Sequence, residues 1–96
     1  MKQPYVVCAA IHLNDEHARG IGPANIDRGI VLMGLRHGDC IAQAIMLRLP
    51  GVAGARRGFI TSDNKFVDRA TAYQIALEAR QIAPSNTETL ISEDLY

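Results

Sequence analysis

Arginine residues border a run of the chain whose composition predicts a β-hairpin. Arg57 precedes Gly58–Thr61, and the β-branched and aromatic residues of that segment are typical of a strand. The turn-forming residues Ser62–Lys65 follow, and Phe66–Val67 predicts a short returning strand. Asn64, within this turn, is a residue that tolerates a left-handed backbone. The segment therefore predicts a tight hairpin with a polar tip.

A helix start follows the hairpin at once. Asp68 stands where an N-cap carboxylate accepts the unpaired amides of a helix, and Arg69 comes next. A helix N-terminus beside Arg57 and Arg69 is a favourable place for an anion, because amide N–H groups and guanidinium groups both attract negative charge. The alternative is an ordinary surface hairpin, followed by a capped helix, with solvated arginines.

The second candidate segment lies between a predicted strand and a predicted helix. Arg36 is a residue that clamps phosphate, His37 can hydrogen-bond a ligand, and the helix amides can cradle an anion. Asp39 is predicted to cap the helix that begins at Cys40. An ordinary turn in which Arg36 pairs with Asp39 is the competing interpretation. Cys40, helped by His37, is a conceivable nucleophile, although a buried cysteine at a helix start is favoured.

Other chemistry is poorly supported by the residue spacing. Cys8 and His12 lie four residues apart, and His37 and Cys40 lie three apart, but no CxxC or HExxH pattern is present. The sequence shows no phosphate-loop pattern, no paired carboxylates and no arrangement typical of a catalytic triad. We therefore expect no metal, no cofactor and no catalytic residues.

Composition narrows the possible partners. Ten Lys and Arg balance ten Asp and Glu, so binding to duplex nucleic acid is disfavoured. Only Lys2 and Lys65 are lysines, and the remaining basic residues are arginines, which suit bidentate recognition of phosphate. Nothing in the sequence resembles a signal peptide or a membrane span. We expect a cytoplasmic protein in which Cys8 and Cys40 are unpaired and buried.

The order of apolar and polar segments predicts a single α+β domain over residues 1–96, with a largely antiparallel sheet and two helices packed on it. The expected order is β-β-α-β-β-α-β. Its core is thin for 96 residues, which favours a homo-oligomer. The predicted elements are strands Tyr5–Leu13 and Gly29–Leu35, a long loop Asn14–Asp27, a helix Cys40–Leu49, the hairpin, a helix Arg69–Ile82 ended by Pro84, and an edge strand Leu90–Ser92. The first helix is expected to bury Ile41, Ala44, Ile45 and Leu49, and the second Ala72, Ile75, Ala76 and Ala79.

Four short motifs in this order resemble the phage-encoded anti-Thoeris sponge family. The motifs are Arg36-His37-Gly38-Asp39, Gly58-Phe59-Ile60-Thr61, Phe66-Val67-Asp68-Arg69 and Ser92-Glu93-Asp94-Leu95-Tyr96. Proteins of that family bind cyclic ADP-ribose isomers made by bacterial Thoeris immunity and sequester them without cleavage. Some are hexamers that also bind the cyclic oligonucleotides of CBASS immunity. The resemblance covers about residues 30–96.

The resemblance implies a protein that acts in the cytoplasm of an infected bacterial cell as a homo-oligomer, from dimer to hexamer. It implies that Arg36 binds phosphate and that Phe59 offers its ring to a base. Asn64, Asp68 and Arg69 would supply polar contacts. With His37 and Arg57 added from the sequence patterns, these residues form the predicted ligand-binding set.

Two other classes of function remain open at this point. The first alternative is a small enzyme that uses His37 or Cys40 to modify or hydrolyse a nucleotide. The second alternative is a structural subunit whose arginines make contacts between the copies of an oligomer. Recovery of intact ligand after denaturation separates a sponge from an enzyme, and absence of ligand uptake favours the structural subunit.

Overall fold

The computed structural model describes residues 3–13, 23–26, 29–49, 52–84 and 89–91. They form one antiparallel four-stranded sheet with two α-helices, which confirms the predicted α+β class. The sheet order is β2-β1-β3-β4. The elements are β1 (Val6–Leu13), β2 (Ile30–Gly34), α1 (His37–Met46), a 3-10 turn (Val52–Gly54), β3 (Arg56–Thr61), β4 (Phe66–Asp68) and α2 (Arg69–Glu78).

Both helices cover the same face of the sheet. On β1, Ala9, Ile11 and Leu13 point to this face because side chains alternate along a strand. They pack with Cys40 and Ala44 of α1, with Phe59 of β3, and with the small and aromatic residues of α2, in one continuous core. Of the three alanines predicted to be buried in the second helix, Ala72 and Ala76 have no exposed surface and Ala79 is half-buried. Their small side chains bring the α2 backbone close to the sheet.

The other face of the sheet carries a second, smaller apolar cluster of Ala10, Val31, Ile60 and Phe66, with Ile26 packed against it. Within the predicted loop Asn14–Asp27, only Pro23–Ile26 belongs to the part of the chain that the structure describes. There the Asn25 side-chain amide donates to the Phe66 carbonyl at 2.7 Å and accepts from the Phe66 amide at 2.8 Å. One side chain thus satisfies a backbone donor and a backbone acceptor of the edge strand β4.

The start of α1 was predicted three residues too late. Arg36 has an extended backbone (φ −131°, ψ 156°) and is the N-cap, and the helix begins at His37. Asp39 therefore lies inside the first turn, where its carboxylate accepts the Arg36 amide at 3.3 Å. This is the acidic half of a capping box, not an N-cap. Gly38 is also inside the helix, and no positive φ is found there.

Both helices end earlier than predicted, and neither end is set by a proline. Arg48 (φ 55°) follows the α1 C-cap, and Arg80 (φ 60°) follows the α2 C-cap, each in the left-handed region. The amides that come next, of Leu49 and Gln81, donate back to the last turn at 3.0 and 2.8 Å. This is the Schellman arrangement, which usually places glycine at the left-handed position. Arginine adds a positive charge at the negative end of each helix dipole.

Two further expectations are wrong. Ile45 is 63% exposed and does not belong to the buried face of α1. Leu90 and Ile91 do not form a strand, and Ser92 lies outside the described residues. Leu90 is nevertheless fully buried, and its amide donates to the Arg69 carbonyl at 3.1 Å.

Candidate functional site

The two segments singled out in the sequence meet at Gly58 in the middle of β3. His37, the first residue of α1, donates from Nε2 to the Gly58 carbonyl at 2.8 Å. Asp68, the N-cap of α2, is the strand partner of Gly58 across the β3–β4 pairing. The starts of both helices therefore lie beside one residue. We call this region the Gly58 junction, and it comprises Arg36, His37, Arg57, Gly58, Asp68 and Arg69.

The packing leaves room for glycine alone at position 58. A Cβ atom there would lie 2.1 Å from the Val67 carbonyl oxygen and 2.8 Å from Cζ of Phe66. No side chain can be accommodated without moving the backbone of β4. Sequence reasoning assigned no role to Gly58, although a glycine within a strand pattern is a known sign of close approach.

His37 attaches the start of α1 to the sheet. Its ring is half-buried and meets the Phe59 ring edge-on, with 5.0 Å between centroids and 80° between planes. Because a carbonyl only accepts, Nε2 of His37 carries the proton of the bond to Gly58. Arg36 precedes His37 and is exposed. The arrangement fixes the α1 N-terminus over β3 and leaves the Arg36 side chain at the surface.

The start of α2 is capped as predicted. The Asp68 carboxylate accepts the Thr71 amide at 2.7 Å. That hydrogen bond is the main cause of the lowered pKa of Asp68, with a smaller contribution from the Arg56 guanidinium. Asp68 is therefore ionised at neutral pH and contributes a negative charge to the junction. Arg69 is the first helical residue and is exposed.

Arg57 and Arg56 point to opposite faces of the sheet. Arg57 lies two residues before Phe59 and therefore on the same, helix-covered face of the sheet. The Arg57 side chain is exposed. Arg56 lies on the other face, where it donates to Nδ1 of His12 at 2.7 Å through Nη2 and at 3.2 Å through Nε. Its guanidinium carbon is 5.4 Å from the centre of the Phe66 ring. Arg56 and His12 were missed because only the strand register brings them together.

Two of the predicted ligand contacts are not at the junction. Phe59 has no exposed surface, so it is a core residue, and the prediction that it offers its ring to a base is wrong. Asn64 has the expected left-handed backbone (φ 62°) and is exposed in the hairpin turn. Thr61 is three residues, or about 10 Å, along β3 from Gly58, and Asn64 lies beyond Thr61 in the turn.

The two cysteines are unpaired, as expected. Cys40 is buried and Cys8 is half-buried. Burial raises the pKa of Cys40 to about 11 and also raises the pKa of Cys8. A thiol with this pKa is protonated at neutral pH, and only the thiolate is a good nucleophile. Within the described ranges no group of three His, Cys, Asp or Glu residues could hold a metal ion, and no helix there is long and apolar enough to cross a membrane.

Comparison with known proteins matches the chain to a protein family. The family model described as phage T4 y16D protein matches residues 5–96. No curated protein and no solved structure matches the chain significantly. The match runs through every element of the sheet and both helices, including the Gly58 junction. The chain therefore belongs to the phage T4 y16D protein family.

Proposed function

We propose that this phage protein binds cyclic nucleotide immune signals, such as cyclic ADP-ribose isomers or CBASS cyclic oligonucleotides, and sequesters them without cleavage. The observation that carries the proposal is the Gly58 junction, where the starts of two helices meet beside one glycine. The exposed residues Arg36, Arg57 and Arg69 are the sequence neighbours of His37, Gly58 and Asp68 there. The junction unites three separate parts of the chain, and its arginines were chosen from the sequence for their affinity for anions.

The chemistry of the junction suits a phosphate diester or a diphosphate. A helix N-terminus presents backbone N–H groups and the positive end of a helix dipole. Guanidinium groups add bidentate, charge-assisted hydrogen bonds that a lysine ammonium cannot reproduce. The carboxylates of Asp39 and Asp68 each accept a hydrogen bond from a backbone N–H at a helix start. Their negative charges therefore face the N-termini of the two helices. The region contains three arginines and the two carboxylates that cap the helices. Its net positive charge favours an anionic ligand.

Binding without cleavage is favoured over catalysis by the state of the two reactive candidates. His37 uses its Nε2 proton in the bond to Gly58 and packs against Phe59, so it acts as a structural link. Cys40 is on the buried face of α1 and has a pKa of about 11. Neither group is in the state that a general acid or a nucleophile requires. We propose on this basis that the protein is not an enzyme.

The proposal is tested by calorimetric titration of cyclic ADP-ribose isomers and cyclic dinucleotides into the folded protein. Replacing Arg36 or Arg57 with alanine removes a charge-assisted contact of about 1.5–3 kcal/mol, which is roughly ten- to hundredfold in affinity. Arg36→Lys should restore part of the loss, because a planar fork becomes a point charge.

Lys65→Ala is the matched control. It removes the same charge from the hairpin turn, where Lys65 pairs with Asp63 at 3.6 Å. Its affinity should equal that of the wild type. Equal affinities for Arg36→Ala, Arg57→Ala and Lys65→Ala, in proteins with native circular dichroism, would reject the junction as the ligand site.

A further inference from the structure

Apart from Asp39 in its first turn and Gln43, the exposed side of helix α1 is apolar. The exposed positions in its second half are Ala42, Gln43, Ile45 and Met46, with Leu47 following, and Ile45 and Met46 are 63% and 82% exposed. An amphipathic surface helix carries charged or polar side chains on the side away from the core, as α2 does at Thr71, Gln74 and Glu78. A helix that is apolar on its outer side is normally covered.

Gly38 lies on the same outer side, one turn before Ala42. A Cβ atom added at Gly38 would meet nothing within 4 Å, so packing inside the chain does not require a glycine there. Gly38 is the second residue of α1 and has no positive φ, so its backbone does not require glycine either. A glycine at this position leaves room for the close approach of another surface.

We infer that the outer face of α1 packs against the α1 of a second copy of this chain, antiparallel and about a two-fold axis at Ala42. This axis places Gly38 of one copy opposite Met46 of the other, because both lie four residues from Ala42. Gly38, which has no side chain, thus faces Met46, whose large side chain is 82% exposed.

The size of the apolar surface fits a small dimer. A large aliphatic side chain presents roughly 100 Å² of apolar surface. Ile45, Met46 and Leu47 are 62–82% exposed, so together they contribute roughly 200 Å² per copy. A standard interface buries about 800 Å² on each partner, and these side chains would form its apolar centre. At the rim, Arg48 of one copy approaches Arg36 of the other, where solvent screens the repulsion.

The competing mode of self-association is pairing of the edge strands β2 of two copies, which would join their sheets. β2 is an edge strand, but the Gln43 side chain already donates to the Met33 carbonyl at 2.9 Å. Part of its hydrogen-bonding capacity is therefore occupied from α1. The helix face carries the more exposed apolar residues, and it is the surface we assign to the second copy.

Sedimentation velocity over a micromolar concentration series tests the assignment. The wild type should dimerise, and Ala42→Glu should raise the dimer dissociation constant at least tenfold, because it places two carboxylates at the axis. Thr71→Glu, on the outer face of α2, is the matched control and should leave dimerisation unchanged. A monomeric wild type, or an Ala42→Glu protein that dimerises normally, would overturn the inference.

A cysteine placed on the axis gives a second, independent readout that does not need a destabilising charge. Under mild oxidation Ala42→Cys should form a disulfide-linked dimer much faster than Gln74→Cys on α2, and faster than the wild type with its native Cys8 and Cys40. Equal rates for the two variants would reject this face. The outcome is separate from that of the proposed nucleotide binding, because Ala42 is not part of the Gly58 junction.

Discussion

Substitution of Phe59 tests most directly whether this residue belongs to the core or to the ligand-binding surface. Its ring is fully buried, ranks among the largest side chains with no exposed surface, and supports His37 through an edge-on contact. Phe59→Ala should cost about 3–5 kcal/mol of unfolding free energy, because the cavity closes only in part. A domain of 96 residues has a total stability of about 5–14 kcal/mol. The variant should therefore melt roughly 12–40 °C below the wild type.

The assay is thermal denaturation followed by circular dichroism, with chemical denaturation beside it, at one fixed protein concentration because association shifts the melting temperature. Tyr5→Ala is the control, since it removes an aromatic side chain that is 50% exposed, and it should change stability by less than about 1 kcal/mol. A Phe59→Ala protein that melts within a few degrees of the wild type would refute the assignment of Phe59 to the core.

Phe59→Leu separates packing from ligand contact. It keeps an apolar side chain in the site and should cost less than about 1.5 kcal/mol. Its affinity for a cyclic nucleotide should equal that of the wild type, because the ring is not at the surface. Loss of binding in a stable, folded Phe59→Leu protein would show that the ring reaches the ligand after all.

Three further outcomes follow from the geometry. Gly58→Ala should destabilise the fold by about 1–3 kcal/mol or more, since its Cβ would lie 2.1 Å from the Val67 carbonyl oxygen, whereas Gly54→Ala, with nothing within 4 Å, should be neutral or stabilising in the same denaturation assay. Asp68→Ala should cost about 0.5–2 kcal/mol at neutral pH through loss of the N-cap. Because the folded-state pKa of Asp68 is lowered, the difference from the wild type should be constant above pH about 4 and shrink as the pH falls through that folded-state pKa, which pH-dependent unfolding measures. Cys40 should react with a thiol reagent at pH 8 only after denaturation, and rapid labelling in the native state would contradict its raised pKa.

The strands and the hairpin were predictable because they depend on local chemistry. The apolar run of β1, the turn formers before Phe66 and the N-cap Asp68 each identify their element without reference to the rest of the chain. The left-handed backbone of Asn64 was also expected from its residue type. These signals were enough to give the α+β class and the antiparallel pairing of β1 with β2.

The remaining details depend on contacts between distant segments. The sequence cannot show whether Phe59 or Ile60 faces the helices until the helices are placed on one side of the sheet. An acidic residue before a helix and one inside its first turn also look alike, so Asp39 was mistaken for the cap. Ile45 has the right helical spacing to be buried, but the sheet covers only part of α1. The contact between His12 and Arg56 depends on the register of β1 and β3.

Recovery of the ligand tests the central proposal most directly. A cyclic ADP-ribose isomer is incubated with an excess of the protein, the mixture is filtered, and the filtrate is analysed by mass spectrometry before and after the retained protein is heated. We predict that the ligand is depleted from the filtrate and is then released quantitatively with an unchanged mass. Release of a cleaved product, or a ligand that passes the filter in full whatever the protein concentration, would contradict sequestration without cleavage.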